Sequence, residues 1–203
     1  TTPLKKMNWL SNIRSWNNVP SPHLAPGTGT KPDGKYTTQE ELREYSSKLY
    51  ALWSRLSADK DVVAPRAIHP KDRHYVYIPL KTSMGGMREV VAMLLHMCLP
   101  GSKTPLFKQW THTPTTTLDA KTGQRWFFVY TGGTEDKVKM TQALAAFNGL
   151  QEGGGTTGPP DGCVLLSDKE FNKGFTLLAV SWVHLFGPPT SKADFDQIIG
   201  RPN

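Results

Sequence analysis

The sequence predicts an α+β domain, a mixed or antiparallel sheet of about five strands with three to four helices, preceded by an extended N-terminal arm. Three observations carry this. Segments of helical period and segments of strand period follow one another without regular alternation. The first 35 residues combine one short amphipathic stretch with a proline- and glycine-punctuated tether. At 203 residues the chain is long enough for one domain with a core and short for two. The expected organisation is therefore an arm and linker over 1–35 and a single globular domain over 36–203. A jelly-roll-like β domain with inserted helices is the alternative architecture.

Residues 4–16, LKKMNWLSNIRSW, form an amphipathic helix on paper. Leu4, Met7, Trp9, Leu10, Ile13 and Trp16 share one broad side, and Lys5, Asn8, Ser11, Asn12 and Ser15 share the other, with Lys6 and Arg14 as exceptions. So short a helix needs something to dock against, such as its own domain, a neighbouring subunit or a membrane surface. Pro20, Pro22, Pro26 and Pro32 then alternate with Gly27, Gly29 and Gly34, which reads as an extended linker.

A helix is expected from Thr38 to Asp59, opened by a capping box of Thr37 with Glu40 or Thr38 with Glu41. Leu42, Tyr45, Leu49, Leu52, Trp53 and Leu56 recur there at helical spacing. Residues 73–82 alternate Val76, Ile78 and Leu80 against Tyr75 and Tyr77 as a strand does, and Pro79 points to an edge position. Residues 87–98 place Met87, Val90, Val91, Leu94, Leu95 and Cys98 on one helical face. Residues 105–133 suggest a hairpin turning at Asp119 to Gly123. Thr134, Glu135 and Asp136 cap a further helix at KVKMTQALAAF. CVLLSD and the long FTLLAVSWVHLFG finish the sheet, and SKADFDQIIG closes the chain with a short helix.

The stretch GTGTKPDGKY, from Gly27 to Tyr36, contains the spacing of a phosphate-binding loop, Gly29, four residues, Gly34 and Lys35. That chemistry needs a preceding strand and a Ser or Thr after the lysine for Mg²⁺. Here the preceding segment is proline-broken coil, Tyr36 replaces the hydroxyl residue, and Pro32 removes an N–H from the loop. Pro32, Asp33 and Gly34 are better explained as a turn leading into the capped helix.

No metal or cofactor signature appears. His96 and Cys98, two apart, face different ways on a helix. His184, inside SWVHLF, is expected to be a hydrogen-bonded structural histidine. Neither a nucleophile elbow nor a cysteine in a catalytic setting is present, so the expectation is a non-enzyme with no catalytic residue and no cofactor. An enzyme whose site assembles from distant residues is kept as an alternative. Cys98 and Cys163 lie in apolar runs, consistent with free thiols in a reducing compartment. The longest apolar stretch, residues 175–186, is short for a membrane span, and the N-terminus lacks the continuous apolar core of a signal peptide. A virion or cytoplasmic location, not secreted and without a transmembrane segment, is expected.

The formal net charge is +7. Residues 1–35 carry five Lys/Arg against one Asp and residues 60–125 carry ten against four, whereas residues 126–203 carry six against eight. A cationic arm and middle suggest a polyanionic partner. Aromatics lie between the cations in KDRHYVY, FKQWTH and GQRWFFVY, a pattern suited to stacking bases while neutralising phosphates. The expected phosphate contacts are Lys5, Lys6, Arg14, Arg66, Lys71, Arg73, Lys103, Lys108, Lys121 and Arg125, with Trp110 and Trp126 as stacking platforms.

A tethered amphipathic cationic arm, a basic aromatic middle and the lack of a catalytic signature resemble small viral coat or nucleocapsid proteins. The resemblance is one of composition. It implies a self-assembling structural protein that binds RNA or DNA through phosphates and copies of itself through Leu4, Met7, Trp9, Leu10, Ile13 and Trp16. The alternative is a membrane-apposed matrix-type protein that lays the same helix on an anionic membrane surface.

Overall fold

The computed structural model describes residues 38–58, 67–79, 86–111, 125–131, 137–150, 161–169 and 176–200. The arm and linker lie outside these. The described elements, in chain order, are α1 (Gln39–Tyr45), α2 (Ser47–Leu56), β1 (His74–Tyr77), α3 (Met87–His96), β2 (Phe107–Gln109), β3 (Arg125–Tyr130), α4 (Lys137–Asn148), β4 (Val164–Ser167), β5 (Trp182–Leu185) and α5 (Lys192–Ile199).

The five strands form one sheet in the order β2-β3-β4-β1-β5, and every pairing is parallel. This corrects the expected α+β domain with a mixed or antiparallel sheet, and the jelly-roll alternative with it: the fold is α/β, with five helices described. The reason is visible in the strands. His74–Tyr77 and Val164–Ser167 are buried at every position, and Arg125–Tyr130 at four of six. Strands covered on both faces are characteristic of parallel sheets, and the apparent alternation of Tyr75 and Tyr77 against Val76 is an alternation between two covered faces.

Two core clusters lie on opposite sides of this sheet. Val76, Ile78, Phe107, Phe127, Val164 and Leu166 pack against Leu42 of α1, Leu49, Leu52, Trp53 and Leu56 of α2, and Val90, Met93 and Leu94 of α3. The residues between them in sequence, Tyr75, Tyr77, Trp126, Phe128, Tyr130 and Leu165, pack against Met140, Ala143 and Phe147 of α4, Leu177, and Ile198 of α5. The topology dictates this. From β1 the chain runs outward to β2, and from β3 it returns through β4 toward β5. Right-handed crossovers travelling in opposite directions place their helices on opposite faces.

Several local expectations change with the sheet. β2 and β3 pair in parallel, Phe107 opposite Arg125 and Gln109 opposite Phe127, so residues 105–133 are not a hairpin; the turn expected at Asp119 to Gly123 lies outside the described residues. β1 is interior, between β4 and β5, not an edge strand. Pro79 sits beyond its last ladder residue, so its missing N–H disturbs nothing. The run 175–186 supplies only four strand residues, Trp182–Leu185, after Ala179 turns the backbone to φ 51°.

The helix expected over 38–59 is two helices. Ser46, at φ −158°, ends α1 with its N–H donating to the Leu42 carbonyl. It also starts α2 with its side-chain oxygen accepting from the Leu49 N–H at 3.2 Å. Of the two capping boxes the sequence allowed, Thr38 with Glu41 forms: each side chain accepts from the other's backbone N–H at 3.2 Å. The helices expected at 87–98, at KVKMTQALAAF and at the C-terminus are present as α3, α4 and α5.

Candidate functional site

The candidate cations and aromatics fall into three groups. Lys5, Lys6, Arg14, Arg66 and Lys121, together with the arm residues Leu4, Met7, Trp9, Leu10, Ile13 and Trp16, lie outside the described residues. Lys108, Trp110 and Trp126 come together at the open β2 edge. Lys71, Arg73, Lys103 and Arg125 are separate from them, each in its own setting.

At the β2 edge, the parallel register sets Lys108 opposite Trp126, and the Lys108 ammonium lies 5.3 Å from the centre of the Trp126 ring. Trp110 follows β2, its N–H bonded to the Phe127 carbonyl at 2.9 Å. Its ring stands 5.7 Å from that of Phe128 at 32°, and Phe128 meets Phe147 of α4 edge-on. Alternation along the two strands thus builds an aromatic row from the sheet edge toward α4. Lys108 is exposed, Trp110 is half-buried, and Trp126 is 6% exposed beneath the lysine. A half-buried indole beside a solvated ammonium can take a planar group with an anion next to it.

Arg73 is placed differently. It is 4% exposed, with its guanidinium 4.3 Å from the Phe147 ring centre. Its nitrogens donate to the carbonyl oxygens of Leu178 (2.5 Å) and Phe147 and to Cys163 Sγ (3.4 Å). This guanidinium joins β1 to α4 and to the 176–181 segment in the interior. Arg125 donates to the Leu56 carbonyl at 2.9 Å, its guanidinium 5.9 Å from the Phe107 ring centre, and burial lowers its pKa. Lys71 pairs with Asp161 at 3.3 Å with both side chains well exposed, and Lys103 is exposed.

A second polar region lies at the carboxyl ends of the strands. β1 departs toward α3 on one face, while its neighbour β4 departs toward Leu177 on the other. Such a reversal of winding opens a crevice in doubly wound sheets. Beside it, the Tyr75 and Ser167 hydroxyls are 2.7 Å apart and Asp168 is 1% exposed. On the α1–α3 side, the Tyr45 hydroxyl donates to Glu89 Oε2 at 3.3 Å, and Lys48 lies 4.8 Å over the Phe186 ring. Burial raises the Glu89 carboxyl pKa against the opposing pull of the Tyr45 hydrogen bond and Arg88. Burial, then Glu89, pushes the Tyr45 phenol well above its usual value, and burial lowers the Lys48 ammonium. The sequence reading missed this group; the available signal was a carboxylate, Glu89, in the first turn of α3 between the apolar positions Met87 and Val90.

A third polar cluster lies across the β1–β5 seam. His74 Nδ1 and His184 Nε2 are 2.9 Å apart, the rings nearly stacked at 5.2 Å. Trp182 Nε1 donates to Asp72 at 2.7 Å. The structural role expected of His184 is met, with His74 as its partner. Cys98 and Cys163 are both free thiols. Among the described residues, no group of three or more His, Cys, Asp or Glu is placed to hold a metal ion, and no helix is long and apolar enough to cross a membrane.

No family model, curated protein or solved structure matches the chain.

Proposed function

We propose that this protein binds nucleic acid mainly through phosphates, as a self-associating structural protein, and that the β2 edge is a contact surface. The observation that carries this is the Lys108 ammonium over Trp126 with Trp110 alongside, at an open sheet edge in a chain of net charge +7. Lys108 neutralises a phosphate and Trp110 offers a ring face to a neighbouring base. Neither contact discriminates sequence, so binding depends on the backbone and is tolerant of base identity.

Titrating a mixed-sequence single-stranded oligonucleotide at several salt concentrations tests the proposal. The log–log slope should be steep, falling by about 0.7 for each phosphate contact removed. Lys108→Ala should reduce the slope by about that amount, and Trp110→Ala should weaken binding by about 1–3 kcal/mol at fixed salt. A flat salt response, or binding untouched by both variants, overturns it.

A second reading rests on the carboxyl-end region. Buried Asp168, the Tyr75–Ser167 hydroxyl pair and the perturbed Tyr45, Glu89 and Lys48 surround the place where open α/β sheets take small polar ligands. In this reading the chain binds a hydroxyl-bearing small molecule there. Saturable thermal stabilisation by such a compound, abolished by Asp168→Asn in a folded variant, would favour it over the nucleic-acid reading.

A further inference from the structure

The His74–His184 pair has no part in either reading, yet it is a hydrogen-bonded side-chain link between β5 and the sheet interior. Among the described strands β5 has one neighbour, β1, and pairs with it over four residues. His74 begins β1, and His184 stands opposite Val76 on the same face, so the imidazole contact runs diagonally across the β1–β5 seam. His74 and His184 are 1% and 7% exposed. A hydrogen bond between two imidazoles requires at least one neutral ring, because two protonated rings present donors only.

We propose that this pair is an acid-operated latch: protonating both rings releases β5, and α5 behind it, from the β1 edge while β2, β3, β4 and β1 stay paired. The charged groups around the latch favour this direction. From α2 it is faced by Arg55, and Lys48 of the same helix lies over Phe186 just past β5. From the segment before β1, Asp72 holds Trp182 through its indole N–H, and Arg73 carries the carbonyl that accepts from the Ser181 and Trp182 N–H groups. The groups that act on the His184 ring are thus the second imidazole and the Arg55 cation. Burial, then His74 and Arg55, hold His184 far below the usual imidazole range, at about 3. Outside the seam the ring regains the ordinary imidazole range, so as the pH falls below about 6.5 proton uptake favours the separated β5. Released, β5 would leave the β1 edge as an open parallel strand, a surface on which another extended segment can pair.

Hydrogen exchange on the full chain, resolved by strand and corrected for intrinsic rates, tests this between about pH 7 and pH 4. Amides of 182–186 should lose protection about tenfold or more beyond any loss in 126–130 and 164–167 over that range. His184→Gln, which keeps a polar side chain that does not titrate, should remove the excess loss. Equal loss in all strands, or an excess that persists in His184→Gln, overturns the latch. Should that variant not fold, the wild-type histidine ring signals in NMR decide. Ring protonation must coincide with loss of β5 protection, and a protonated pair in a protected β5 overturns the proposal.

Discussion

Arg73 shows how one residue type in one sequence context can serve opposite ends. Beside Lys71 and His74 it belongs to a basic, aromatic segment, and its chain neighbours point to a solvated cation. The fold buries it instead, with its guanidinium donating to two backbone carbonyls, those of Leu178 and Phe147. Arg73→Met should cost about 2–4 kcal/mol in urea unfolding, since two buried acceptors lose a charged donor. Arg73→Lys should recover little, because one ammonium cannot span the guanidinium's fork. A loss below about 0.5 kcal/mol for Arg73→Met would mean that the carbonyls find water instead.

Cys163, which that guanidinium touches, gives a residue-scale pH prediction. Burial raises its thiol from 9.0 to about 11, outweighing the lowering effect of Arg73. The unfolded chain ionises the thiol first, so stability is intact below about pH 9 and falls as pH rises from there toward 11, by about 2–3 kcal/mol. The difference in unfolding free energy between the wild type and Cys163→Ala should therefore shrink across that window. A constant difference would place the thiol in solvent.

At the scale of elements, helix N-termini were legible because a cap is a local chemical event. Thr38 with Glu41 announces its helix in the sequence and performs the cap in the structure, where Ser191 caps α5 in the same way. Ser46 is the instructive exception. Its neighbours continue the helical period on both sides, so nothing in the apolar spacing marks a break, yet its hydroxyl competes for the Leu49 N–H and splits the segment. Ser46→Ala should cost about 1 kcal/mol by loss of the cap. If it instead stabilises the protein, the helix break is imposed by packing and the serine only tolerates it.

Strand direction was harder to see. Strand period alone cannot tell a parallel pair from an antiparallel one, and the Asp119–Gly123 turn signal favoured a hairpin. The usable clue was the unbroken apolar run in WFFVY and CVLLS, where both faces of a strand must be covered. The candidate site divides in the same way. Lys108, Trp110 and Trp126 were legible because alternation in adjacent strands brings them together. Tyr45 and Glu89 were not, because they meet from α1 and α3, far apart in sequence.

For the whole molecule, the question is whether the folding unit and the cationic arm are separable. Among the described residues, the two core clusters begin at Leu42 and end at Ile198, and together they cover both faces of the sheet. A chain lacking residues 1–35 retains all of those contacts and loses five of the 24 Lys/Arg side chains. It should therefore unfold cooperatively, with a midpoint within a few degrees of the full chain, as expected when little core area changes. Its nucleic-acid salt slope should nonetheless be smaller, since each lost phosphate contact removes about 0.7 from the slope on a single strand. If the arm also joins subunits, the truncated protein should elute as a monomer at concentrations where the full chain is larger. These readouts separate the roles. A truncated chain that does not fold makes the arm part of the core, whereas one that folds with an unchanged slope and unchanged size confines nucleic-acid binding and assembly to residues 36–203.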